Sequence, residues 1–255
     1  MPGAAQAIRQ GLWSPPFTPK RIPGLVGWFS ALRLTGIPEA DPLGATWLNL
    51  AGNGFHLAQA TSSKQPTYRG NIINGRPALL FDATDDELYS AGLGPTFSGS
   101  DVPVSVLAVV RTGSNVAAAT SRIAWSASNS GDANPFLILK YDSSLWGVAR
   151  RDDAASIVDA AGATPVVNTN YVHSTIFAGT TVSTWVNGTA DEVDTAMNVG
   201  AMTVDAFGAG ARQGNAEFFN GYIGEILVYN RAITSAERQT LERRWFAKQW
   251  GIAVA

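Results

Sequence analysis

From Gly24 onward, short apolar runs alternate with clusters of turn-forming residues at intervals of about ten residues. Such runs are too short for amphipathic helices, so the chain is expected to bury its apolar residues between antiparallel sheets. The run at 102–111, VPVSVLAVVR, is β-branched and almost unbroken, which predicts a strand covered on both faces. Asn187-Gly188 supplies the left-handed pair that a two-residue turn requires, so Thr181–Val186 should pair with the segment that follows. Asn187-Gly188-Thr189 is formally a glycosylation sequon as well, but the turn accounts for it.

One stretch departs from this rhythm. Residues 222–229 read as a strand and are followed by Thr234 and Glu237 at capping-box spacing, with Leu241 and Trp245 on one stripe and Gly251 as the stop. This predicts a C-terminal helix laid as a lid on a sheet. The 255 residues are 45% hydrophobic and 15% charged, enough to build a large core, and no linker divides them after residue 24. One domain over 24–255 is therefore expected. The absence of cysteine removes disulfides and thiolate metal sites. A formal charge of −2 with scattered basic residues gives nucleic acid no footprint. No stretch is apolar for long enough to be a signal peptide or a membrane span, so neither encoded secretion nor membrane insertion is expected.

Residues 1–23 contain five prolines, which favour extended backbone and predict an arm outside the sandwich. It is either a free tail or a clamp on a neighbouring subunit, and Trp13 and Phe17 favour the clamp.

Several segments together resemble the concanavalin A-like, laminin-G-like jelly rolls found in bacterial surface proteins and tailed-phage virion proteins. GLVGWFSA at 24–31 is similar to the opening strand of that family, with Ser30 where Asp is usual. WLNLAGNGFHLAQ at 47–59 resembles its Gly-Asn-Gly turn, with Asn49 and Ala51 substituted. NGRPALLFDATDDEL at 74–88 and the C-terminal strand and helix match most closely. The resemblance spans 24–252 and implies an all-β antiparallel sandwich; this superfold hosts lectins, glycosidases and inert modules alike.

The alternating carboxylates that sandwich glycosidases set along one strand are missing, and Glu225 stands alone in its strand. With two histidines and no nucleophile elbow, a serine hydrolase is not expected either, so the chain reads as a non-enzyme. Asp82, Asp85 and Asp86 gather three carboxylates in five residues, which suits either calcium, as some relatives hold in loops, or the capping of a turn; no other cofactor is expected. Strand alternation puts Trp146 and Arg150 on one face, with Tyr141 and Trp125 near it: either a shelf for glycan or core aromatics. Trp28, Trp47 and Trp245 are assigned to the core. The expected role is a lectin-like virion accessory protein, a head decoration, spike or tail component of a tailed phage. Its expected partners are capsid or tail proteins, further copies of itself and host-surface polysaccharide, and its place the virion surface. The alternatives are a secreted or cell-surface carbohydrate-binding module and a purely structural capsid or tail protein.

Overall fold

The computed structural model describes residues 16–114, 121–131, 135–142, 145–198, 200–214 and 217–255, the side chain of Asp142 excepted. Two eight-stranded sheets with antiparallel pairing lie face to face. The first runs Thr189–Ala196, Thr181–Val186, Asn170–Phe177, Val104–Thr112, Asn220–Tyr229, Arg76–Asp82, Thr67–Ile73, and Leu25–Ser30 adds to it along Asn220–Tyr229. The second runs Ile157–Ala161, Leu145–Arg151, Phe136–Asp142, Arg122–Ser128, Ala206–Ala209, Leu88–Ser90, Leu57–Ala58, Thr46–Trp47. Asn187-Gly188 makes the expected hairpin, with Val186 opposite Thr189. The edge strand Thr189–Ala196 carries Asp191, Glu192 and Asp194, charges that discourage a further strand from pairing there.

Val106, Leu107, Ala108, Val109 and Val110 are all buried, as the unbroken apolar run predicts. One face of their sheet meets the other sheet, and the opposite face meets the C-terminal helix. That helix begins with the complete capping box: Glu237 N donates to Thr234 Oγ1 at 3.3 Å, and Thr234 N donates to Glu237 Oε2 at 2.8 Å. Gly251 ends it in the left-handed conformation, at φ 64°.

Between these ends the helix is not uniform. Ser235–Thr240 and Ala247–Trp250 are α, but Leu241–Phe246 is a π-helix. An α-helix turns ~100° per residue, so Trp250, nine residues after Leu241, would sit about half a turn away from it. The wider π turn lags and brings Leu241, Trp245, Phe246 and Trp250 all to the buried side.

What they meet there is a carboxylate. Glu225 is fully buried and accepts indole N–H bonds from Trp28 at 2.6 Å, Trp245 at 3.1 Å and Trp250 at 2.5 Å. One residue of the final strand thus ties together the first strand and two turns of the helix. Nearby, Arg238 pairs with the buried Glu242, which also accepts from Ser174 Oγ at 2.7 Å.

Asn49 serves the turn in both directions. Its Oδ1 accepts from Trp28 N and Ala51 N at 2.9 Å each, and its Nδ2 donates to Val26 O at 2.9 Å.

The chain packs on the sandwich before Gly24. Pro19 and Ile22 are buried, Tyr229 donates to Pro19 O at 3.1 Å and Arg231 to Pro23 O at 2.9 Å. Phe17, expected on a clamp, packs against its own core with the Arg244 guanidinium 5.7 Å from its ring centre, while Trp13 lies outside the described residues.

Candidate functional site

The aromatic shelf expected from the sequence does not exist as a surface. Trp125, Tyr141 and Trp146 are 0% exposed and Arg150 is 3% exposed. Alternation groups Trp146 with Arg150 as expected, but the face they share points between the sheets. Trp146 packs edge-on against Tyr141 and Tyr171, Trp125 stacks on Phe207, and Tyr141 donates to Asn220 O at 2.7 Å. Arg150 is consumed by Asp101 and by the carbonyl of Gly200 at 3.0 Å. The imidazoles are likewise structural. His56 Nδ1 accepts from Asn49 N at 2.9 Å, and burial pushes His173 down to about 3.

A cleft opens instead at one end of the first sheet, where Arg76–Asp82 and Asn220–Tyr229 pair. It encloses about 330 Å³ and is lined by Asp82, Asn168, Asn220, Ser114 and Tyr222, with Gly113, Gly221, Leu80 and Phe81 completing the wall. A cavity beside Arg150, of about 10 Å³, has room for one water molecule. The cleft is set by local geometry. Asn220 pairs with Asp82 across the strands, and Gly113 N donates to Asn220 O at 2.8 Å. A side chain at 113 would come within 1.7 Å of Asn220 Oδ1, so only glycine leaves Asn220 its place.

Asp82, Asp85 and Asp86 sit beside this cleft with ligand oxygens all within 4.8 Å of one another. Asp82 is exposed, Asp85 half-buried and Asp86 buried. The turn uses part of this oxygen supply: Asp86 Oδ2 accepts from Asp82 N at 3.0 Å and Asp82 Oδ1 from Thr84 N at 2.8 Å. Burial, with the Asp82 charge next, pushes the Asp86 carboxyl up to about 7. Three carboxylates are the right donors for a hard cation, and the same residues cap the turn without one. The sequence pointed to this cluster, but not to Asn220, Asn168 and Tyr222. They lie far from it in the chain: Asn220 and Tyr222 reach it by strand pairing and Asn168 by its N–H bond to Gly113 O at 3.3 Å, contacts that no local pattern encodes.

The family model described as the concanavalin A-like lectin/glucanases superfamily, of laminin-G type, matches residues 84–237. No curated protein matches the chain. Among solved structures, the chain is similar to the Trypanosoma rangeli sialidase in complex with the inhibitor DANA, at 16% identity and TM-score 0.59, over 89% of this chain and 34% of that one. It is also similar to a mutant NanB sialidase from Streptococcus pneumoniae, at 19% identity and TM-score 0.51, over 64% of this chain and 27% of that one. The chain thus spans about a third of these sialidases or less, and at such identity the likeness is one of fold. Two expectations are corrected by it. The fold neighbours are glycoside hydrolases, which overturns the reading of the chain as a non-enzyme, and the virion accessory role finds no counterpart among them.

Proposed function

Because the chain belongs to the concanavalin A-like lectin/glucanase superfamily, we propose that it is a carbohydrate-binding domain whose cleft at Asp82, Asn220 and Tyr222 holds one sugar unit. The observation that carries this is the composition of the cleft. A carboxylate, two amides, a hydroxyl and a half-buried aromatic ring converge on about 330 Å³. A carboxylate accepts from two adjacent sugar hydroxyls, amides donate and accept, and a ring face covers the apolar face of a pyranose. Sugar held in so open a cleft exchanges water hydrogen bonds for protein ones at little net gain, so affinity for a single site is weak and useful retention comes from many sites together. The test is saturation-transfer NMR on the full chain with a panel of monosaccharides, repeated on Tyr222→Ala. Transfer to sugar protons that disappears in a Tyr222→Ala protein with an unchanged melt supports the site; no transfer to any sugar, and no retention on multivalent glycan, overturns it.

A second reading, glycoside hydrolysis, is favoured by one specific observation. The Asp86 carboxyl, pushed up to about 7 by burial, stands within 4.8 Å of the exposed Asp82 carboxyl that lines the cleft, and glycosidic cleavage works with a pair of carboxyl groups in unlike environments. Turnover of fluorogenic glycosides that is lost in Asp86→Asn would support it, and binding without turnover would leave the first reading alone.

A further inference from the structure

The charge around the cleft sorts its ligands, an inference that rests on the glycan-binding reading above. Among the described residues that line it, Asp82 is the one acidic side chain, and the wall holds no lysine or arginine. Asp85, also acidic, stands within 4.8 Å of it. Two arginines on the neighbouring strands do not line the cleft and spend their guanidinium donors on neutral acceptors, Arg122 in part on the acidic turn itself. Arg111 Nη1 donates to Asn170 Oδ1 at 3.1 Å, and Arg122 Nη1 donates to Phe218 O at 3.2 Å and Ala83 O at 3.5 Å.

A sugar carboxylate entering this cleft would meet carboxylate oxygens and no guanidinium fork, the group best shaped to hold it. Like charges at contact distance in a partly desolvated site repel, and this disfavours the anionic ligand relative to its neutral analogue. The hydroxyls of an uncharged pyranose meet the opposite situation. Asp82 accepts from them as an ionised group, which makes the stronger kind of hydrogen bond, and Asn168, Asn220 and Ser114 take the remainder. We propose that the cleft selects uncharged pyranose units, hexoses and N-acetylhexosamines, and rejects sialic acid and other anionic sugars, although the fold neighbours of the chain are sialidases.

The experiment is retention of the full chain on multivalent conjugates of galactose, N-acetylgalactosamine, glucose and mannose against α-linked N-acetylneuraminic acid, at low ionic strength, with Asp82→Asn and Tyr222→Ala alongside. Asn at 82 still offers an acceptor to Thr84 N, so the turn survives. At least one neutral conjugate is expected to be retained on the order of tenfold better than the sialoside, and Asp82→Asn is expected to weaken that retention and to narrow the gap. Sialoside retained as well as the best neutral sugar overturns the charge preference and leaves glycan binding intact. Neutral glycan held equally by wild type and by both variants, with unchanged melts, moves the sugar to another face and overturns the proposal. Retention of nothing removes the glycan reading and this inference together.

Discussion

At the scale of single residues, Glu225 organises more of the molecule than any aromatic it touches. Burial, opposed by the indole and Ser30 hydrogen bonds, pushes its carboxyl up from the ordinary 4.5 to about 7. The folded state therefore holds this proton more tightly than the unfolded chain. Its contribution to stability is fully present below about pH 4.5 and is lost as pH rises through about 7. Urea unfolding of wild type and Glu225→Gln from pH 4 to 8 should show the wild-type advantage shrinking across that window. Glu225→Ala should cost roughly 3–5 kcal/mol, since three buried indole N–H groups lose their acceptor and a cavity remains. Trp146 makes a different case: its Nε1 is buried and finds no acceptor among the described residues. Its value lies in packing alone, so Trp146→Ala should also cost roughly 3–5 kcal/mol, read from the shift in denaturation midpoint.

At the scale of elements, the C-terminal helix is held at its start by the Thr234–Glu237 box and along its length by what it buries. Thr234→Ala removes the cap and should lower stability by about 1 kcal/mol, far less than removal of its buried tryptophans. Arg231, bonded to Glu237 at 2.6 Å, holds that carboxyl down to about 2 and fastens the helix start to the strand before it. The acidic turn at 82–86 is the other element with a choice of roles. The bonds from Asp82 N and Thr84 N already occupy oxygens of Asp86 and Asp82, so chelation by EDTA is expected to leave the melting temperature unchanged. A fall in melting temperature on chelation, reversed by calcium, would assign the turn to a metal, because a ligand of the native state alone stabilises by mass action.

At the scale of the whole molecule, one apolar cluster runs from Ile22 to Ile252 and draws on both sheets, the helix and the segment before Gly24. Calorimetry should accordingly show one cooperative transition; two resolved transitions would mean that the helix layer and the sandwich unfold separately. The same continuity explains why the proposed binding face is hard to see. With both sheets closed over an aromatic core, polar groups able to meet a ligand are left at the ends of strands, where Asp82, Asn220 and Tyr222 converge.

The strands, the Asn187-Gly188 hairpin, the doubly covered run at 102–111 and the capped, glycine-stopped helix follow from sequence alone, because each rests on interactions within a few residues. Alternation along Leu145–Arg151 likewise sorts Trp146 and Arg150 onto one face, but nothing local says whether that face meets water or the other sheet. That depends on which strands pair, and pairing joins segments far apart in the chain. The π turn of the helix, the burial of Trp125, Tyr141, Trp146 and Arg150, the three indoles on Glu225 and the cleft between residues 82, 113, 168 and 220 were all decided there. Apolar periodicity records that a residue must be covered, whereas only the tertiary structure supplies the partner that covers it.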